Sequence, residues 1–191
     1  TTVRIANSFN PAKVKFPFHC LDDIYYRMNN RHSGPGYYIR QMVAGSSFTC
    51  ALLTDSRVQC WGKNDYGQLG RGSVTGMMPS PDYVSGPNGS GVLEGVQEIS
   101  AGNDHACAIT GSGNVVCWGY NDVGQLGVSV ASSSSTYPVY VTQPDKISNV
   151  SNPSSSTGQL YSASKLASGG SSNCVIRNGD TPVCWGGGAS G

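Results

Sequence analysis

Apolar positions along this chain come in short bursts separated by turn-forming residues. One block shows the pattern clearly. "VQEIS" (Val96 to Ser100) is rich in β-forming residues and runs into Ala101-Gly102. "HACAI" (His105 to Ile109) alternates and suits a strand. "TGSGN" (Thr110 to Asn114) supplies a turn, because its glycines reach positive φ at little cost. "VVCWG" (Val115 to Gly119) is the returning strand. A fourth strand is expected over "YPVYVT" (Tyr137 to Thr142) and, one block earlier, over "PDYVSG" (Pro81 to Gly86). No segment sustains a capped apolar period of about 3.6 residues. "LDDIYYRMNN" (Leu21 to Asn30) is the one short candidate for a helix.

The block recurs. "MVAGSSFTCALLTDSRVQCWG" (Met42 to Gly62) precedes it, and "LASGGSSNCVIRNGDTPVCWG" (Leu166 to Gly186) follows it as a more divergent copy. The first cysteines of the copies, Cys50, Cys107 and Cys174, are 57 and then 67 residues apart. Two copies continue into an almost identical loop, "CWGKNDYGQLG" (Cys60 to Gly70) and "CWGYNDVGQLG" (Cys117 to Gly127). These differ only at Lys63/Tyr120 and Tyr66/Val123; the third copy reads "CWGGGASG" instead. A unit of four short antiparallel strands cannot bury both its faces alone, but radial stacking buries them, which is the β-propeller solution. The expected fold class is therefore all-β, with about three four-stranded blades. The repeats are placed at about 37–94, 95–160 and a partial 161–191, after an N-terminal extension or arm over 1–36.

These motifs, "AGxxxxC(A/V)", "CWG" and "NDxGQLG", resemble the repeats of the regulator of chromosome condensation family, from about Ile39 to Gly191. The resemblance implies a β-propeller with four-stranded blades. It implies that Trp61, Trp118 and Trp185 pack beside a neighbouring blade, that Leu69 and Leu126 plug the gaps between blades, and that His105 is structural. Asn64-Asp65 and Asn121-Asp122 start turns through side-chain-to-backbone hydrogen bonds. The competing reading, a ligand site in the repeated loop, is set against the rule that repeated identity marks packing. The family's nucleotide-exchange activity fits a disulfide-bearing chain poorly, and no exchange-loop residues carry over to this sequence.

Cysteine spacing changes the picture of where such a protein works. Six of the seven cysteines form pairs with nine residues between: Cys50 and Cys60, Cys107 and Cys117, Cys174 and Cys184. With the turn centred on residue 112, Ile109 faces Val115 and Cys107 faces Cys117. Opposed strand residues lie at disulfide distance. Each closed loop would contribute roughly 2–3 kcal/mol on the chain-entropy model. Nine-residue gaps are unlike the short knuckles of structural zinc. Free-thiol pairs are the other alternative. Staples argue for an oxidising compartment, extracellular or cell-surface. The sequons at Asn88 and Asn149 point the same way. Cys20 is left unpaired, for an intermolecular bridge, an outside partner or a buried thiol. The serine-rich "ASSSSTYP" and "SNPSSSTG" read as exposed insertions that account for the ten extra residues of the second repeat.

Charge adds mainly exclusions. Charged residues make up 12% of the chain, with 12 Lys+Arg against 11 Asp+Glu, so no electrostatic footprint for nucleic acid stands out. No apolar run approaches the roughly 20 residues that span a bilayer. Thr1 does not open a signal peptide, so the chain is expected to be processed or to begin inside a longer protein. No nucleophile–base pair, Walker loop or zincin motif is present, and no cofactor or enzymatic turnover is expected. His19, Cys20 and His32 form the one imaginable metal set, and Asp22-Asp23 an imaginable acid pair against an exposed turn. The expected function is a non-enzymatic extracellular interaction or structural module, a piece of a larger assembly whose partners are proteins or further copies of itself. The alternative is a secreted propeller-type enzyme inhibitor. Closed propellers use about four to eight blades, so three repeats are expected to need further chain or other subunits to cover them.

Overall fold

The computed structural model describes residues 37–128, 132–142, 160–177 and 181–187. The extension over 1–36, the helix candidate, Cys20, Asn149 and "SNPSSSTG" lie outside the described residues.

Eleven strands form three antiparallel sheets among the described residues. β1 (Ile39–Ala44), β2 (Phe48–Leu53), β3 (Val58–Lys63) and β4 (Met77–Tyr83) lie side by side in chain order. β5 (Val96–Ala101), β6 (His105–Thr110), β7 (Val115–Tyr120) and β8 (Ser134–Tyr140) repeat that order. β9 (Ala163–Gly169), β10 (Ser172–Arg177) and β11 (Thr181–Gly186) form the third sheet, three strands wide. The sheets are propeller blades, as the sequence pattern implies. The register is the expected one: Cys107 opposes Cys117 and Ile109 opposes Val115.

The fourth strands differ from expectation. They begin at Met77 and Ser134, earlier than Pro81 and Tyr137, and end before Val84 and Val141. These valines follow the strand ends, are wholly buried, and still donate their amides to the third strand, Val84 to Val58 and Val141 to Val115. The strands themselves are outer edges. β4 is mostly exposed and carries Pro79 and Pro81, which an edge tolerates. Such a strand has almost no hydropathy signal. "ASSSSTYP" is accordingly no insertion, since Ser134–Pro138 lie within β8, where Ser134 and Ser135 pair with Tyr120 and Gly119. Val84 and Val141 are still 57 residues apart, whereas Leu93 and Leu160 are 67 apart. The ten extra residues therefore fall wholly between Val141 and Leu160.

Blades are joined by apolar packing and by backbone bonds that repeat with the sequence. One core combines Cys50, Leu52, Val58 and Cys60 of the first sheet with Val96, Ile99, Val116 and Trp118 of the second. Its counterpart joins Cys107, Ile109, Val115 and Cys117 to Leu166, Val175, Val183 and Trp185. At one end of the blades the Ser46 amide donates to Asn103 and the Asn103 amide to Gly170, both at 2.8 Å. At the other end Val96 donates to Ser56 at 2.9 Å and Ala163 to Gly113 at 3.0 Å.

Two glycine positions of the motif follow from this packing. The glycine after each tryptophan has positive φ, 114° at Gly62, 102° at Gly119 and 101° at Gly186. A Cβ at Gly62 or Gly119 would stand 2.7 or 2.9 Å from the neighbouring strand's Cα. Gly70 and Gly127 close the repeated loop, where a Cβ would reach the indole nitrogen of the next blade's tryptophan at 3.0 and 2.9 Å. These positions are glycine because another backbone or ring occupies the space.

Candidate functional site

The repeated loop is a closed device built from its own polar side chains. Asn64 accepts the Leu69 amide on Oδ1 at 3.1 Å and donates Nδ2 to the Ser73 carbonyl at 2.7 Å. Asn121 does the same with Leu126 at 2.9 Å and Ser132 at 2.7 Å. Gln68 and Gln125 accept the amides of Tyr66 and Val123. Leu69 and Leu126 are buried in the inter-blade cores. So folded, the loop offers its glutamine carbonyl to the following blade. Trp118 Nε1 donates to Gln68 O at 2.9 Å, and Trp185 Nε1 to Gln125 O at 3.0 Å. The tryptophan of each following blade docks on the glutamine of the one before. Trp61 is buried with Ala51 and Met42. Repeated identity here is packing, which directs attention to positions where the copies differ.

His105 is one of these. It stands where the first copy has Phe48 and the third has Ser172. Its ring fills the space left by Gly102 and meets Asn173 Oδ1 at 2.9 Å across the blade junction, while Asn173 Nδ2 donates to Gln125 O at 2.7 Å. Burial lowers its pKa from 6.5, against weaker opposing effects of the Asn173 bond and the Asp104 charge. The unfolded chain then binds more protons than the folded one below about 6.5. Full stability is present above that value and is lost as pH falls towards the lower folded pKa. His105→Phe is expected to flatten this acid limb in urea midpoints measured between about pH 7 and 5. Losing the Asn173 bond should cost about 1 kcal/mol at neutral pH. An unchanged pH slope would refute the assignment.

The cysteines are joined Cys50–Cys60, Cys107–Cys117 and Cys174–Cys184, with S–S distances of 2.09, 2.10 and 2.08 Å. Their surroundings differ. The first two bridges are completely buried, each under the following blade. In the third sheet Cys184 is exposed and Cys174 half-buried. They share their face with Ala167, Ile176 and Pro182 by register. The same positions of the first sheet, Val43, Leu52 and Val58, are buried under blade two.

A second surface gathers the two positions at which the repeated loops differ. Tyr66 of the first loop meets Tyr120 of the second blade, ring centroids 4.5 Å apart and tilted by 48°. Lys63 Nζ bridges to Asp65 at 3.1 Å and lies 5.9 Å from the Tyr66 ring. Tyr120 Oη donates to Asp122 at 2.5 Å, which raises the phenol's pKa, and the Asp65 hydrogen bond raises that of Lys63. Val123, the counterpart of Tyr66 in the second loop, is 52% exposed and lies instead against Gly187, next after β11 of the third sheet.

Other predicted positions are placed as follows. Asn88 is exposed in a 3-10 turn over Pro87–Gly89. His19, Cys20, Asp22, Asp23, His32 and Asn149 lie outside the described residues. Among the described residues, no group of three or more His, Cys, Asp or Glu side chains could hold a metal ion, and no helix is long and apolar enough to cross a membrane. Sequence reasoning missed the His105–Asn173 contact and the Tyr66–Tyr120 pair. The signal for the second was available: the two substitutions between otherwise identical loops.

The comparisons agree with the fold. Family profiles described as "Regulator of chromosome condensation (RCC1) repeat" match residues 39–68 and 96–125, and residues 55–109. The chain is 39% identical over 93 residues to the human "Probable E3 ubiquitin-protein ligase HERC3", covering 48% of this chain and 8% of that protein. It is 32% identical over 95 residues to the "Ultraviolet-B receptor UVR8" of Arabidopsis thaliana, covering 49% and 20%. The match thus spans a small part of these relatives. Among solved structures, human WBSCR16 aligns with a TM-score of 0.62 at 21% identity, over 81% of this chain and 34% of that one. Prp20p of Saccharomyces cerevisiae, described with its binding to Gsp1p and histones, aligns at 0.56 and 18%, over 78% and 33%. At such identities the likeness is one of fold.

Proposed function

From a chain that carries regulator of chromosome condensation repeats folded as propeller blades, we propose a non-enzymatic protein-interaction and structural module, working at the cell surface or outside the cell within a larger assembly. One face of the third sheet, uncovered among the described residues, carries the reading. Its disulfide, Ala167, Ile176 and Pro182 occupy positions that blades one and two bury under a neighbour, so this surface has the shape of a blade junction. Protein binding is also what the description of Prp20p names for that protein. Three disulfides and the exposed Asn88 sequon support an oxidising, secretory route. The inhibitor reading draws on the exposed Tyr66–Tyr120 pair, since aromatic anchors are common where a surface docks into a partner.

One experiment addresses both parts. The chain is secreted from eukaryotic cells, and its intact mass and sedimentation are measured before and after reduction and deglycosylation, alongside Ala167→Glu. The expected result is an oligomer or mixed complex that Ala167→Glu dissociates without lowering the thermal midpoint, with glycan mass on Asn88. A monodisperse monomer would remove the assembly, and finding Asn88 and Asn149 both bare would remove the secretory route.

A further inference from the structure

The rim at the junction of blades one and two has a chemistry that packing leaves unused. Tyr66 and Tyr120 are carried there by the only two positions at which the repeated loops diverge, together with Lys63. Around them stand three carboxylates and one ammonium. Asp65 pairs with Lys63 and Asp122 accepts from Tyr120. Asp104 is near enough for its charge to act on both Lys63 and Tyr120. At neutral pH the patch carries three negative charges against one positive, a net of about −2. An aromatic face with an excess of carboxylates favours a cation, because ring quadrupole and ionic charge attract the same group. The molecule already displays that preference. The Lys63 ammonium sits 5.9 Å from the Tyr66 ring centroid, with Asp65 as its anion, on a side chain that is 38% exposed.

We propose that this rim docks a basic segment of a protein partner, with an arginine or lysine side chain entering beside Tyr66 and displacing the Lys63 ammonium. The proposal deepens the interaction reading above, and it concerns a different surface from the open face of the third sheet. Charge complementarity selects the occupant: an acidic segment would meet three aspartates, and a purely apolar one would strand them. Lys63 acts as an internal competitor, so its removal should strengthen binding, whereas loss of a residue merely holding the rim together would weaken it.

The test uses the oxidised full chain with a synthetic deca-arginine peptide as probe and deca-glutamate as control, titrated calorimetrically at low and physiological salt. Deca-arginine is expected to bind and deca-glutamate not, with affinity falling as salt rises. Tyr66→Ala should weaken deca-arginine binding about three- to ten-fold, and Lys63→Ala should tighten it by about the same factor. Tyr66→Phe, which keeps the ring face, should bind like the parent. Retention of all three disulfides in each variant establishes its fold. Absence of binding, or binding untouched by Tyr66→Ala and by Lys63→Ala, would overturn the proposal. Either result leaves the assembly through the third sheet standing, and a monomeric chain that still binds deca-arginine at the rim would separate the two in the other direction.

Discussion

Replacing Trp118 by alanine is expected to lower stability by about 3–5 kcal/mol, enough to unfold a marginal domain. The side chain is completely buried between blades one and two, in the core that also holds Leu69 and the Cys50–Cys60 bridge. Its loss leaves a cavity and strips the Gln68 carbonyl of the indole donor. Trp185→Ala is expected to cost less, although the position is equivalent. Trp185 is slightly exposed, and Gln125 O would keep a second donor in Asn173 Nδ2. Urea unfolding of the two variants checks the ranking. Equal losses would show that the orphaned carbonyl contributes nothing, and a Trp118→Ala loss below about 1 kcal/mol would show that the junction is held by something else.

The second large effect concerns the bridges. Changing both Cys107 and Cys117 to alanine should cost about 2–3 kcal/mol, from the freedom returned to the ten-residue separation in the unfolded chain. The same double change at Cys174 and Cys184 returns a loop of equal length, so its entropic cost should be similar. What differs is access. A mild dithiol needs to reach a sulfur, and only the third bridge has an exposed cysteine, while the other two are sealed under a neighbouring blade. Among the six bridged cysteines, timed alkylation and mass analysis should therefore find Cys174 and Cys184 labelled first. The buried pairs should follow only as the chain unfolds. Simultaneous labelling of all six would mean that the blade junctions open as readily as the outer face.

The inner three strands of each blade were legible because their signals were local. Alternation in "HACAI", turn residues in "TGSGN" and a constant cysteine spacing fix β6, β7 and their register with no knowledge of the rest. β4 and β8 were misplaced for the opposite reason. An edge strand such as "MMPSPDY" is paired by backbone and washed by water, so its side chains need no pattern. The valines that looked like strand residues, Val84 and Val141, are core residues just past the strand ends. At the rim, sequence supplied the identities of Lys63, Tyr66 and Tyr120 but not their meeting, which depends on how one blade's loop crosses onto the next. His105 was legible as structural. Its partner Asn173, 68 residues away, was not.

The ten residues by which the second repeat exceeds the first all lie between Val141 and Leu160, beyond the last paired strand and before the next blade begins. Lengthening a closed connection from 8 to 18 residues adds only about 0.7 kcal/mol of closure entropy. Val141 and Leu160 still exchange a backbone bond at 2.7 Å, as Val84 and Leu93 do at 2.9 Å. The seam between blades therefore keeps the same backbone bond whether 8 or 18 residues connect its two sides. A lineage, or a protein engineer, can graft a peptide tag, a glycan-bearing loop or a recognition epitope at this point while the blades on either side keep their register.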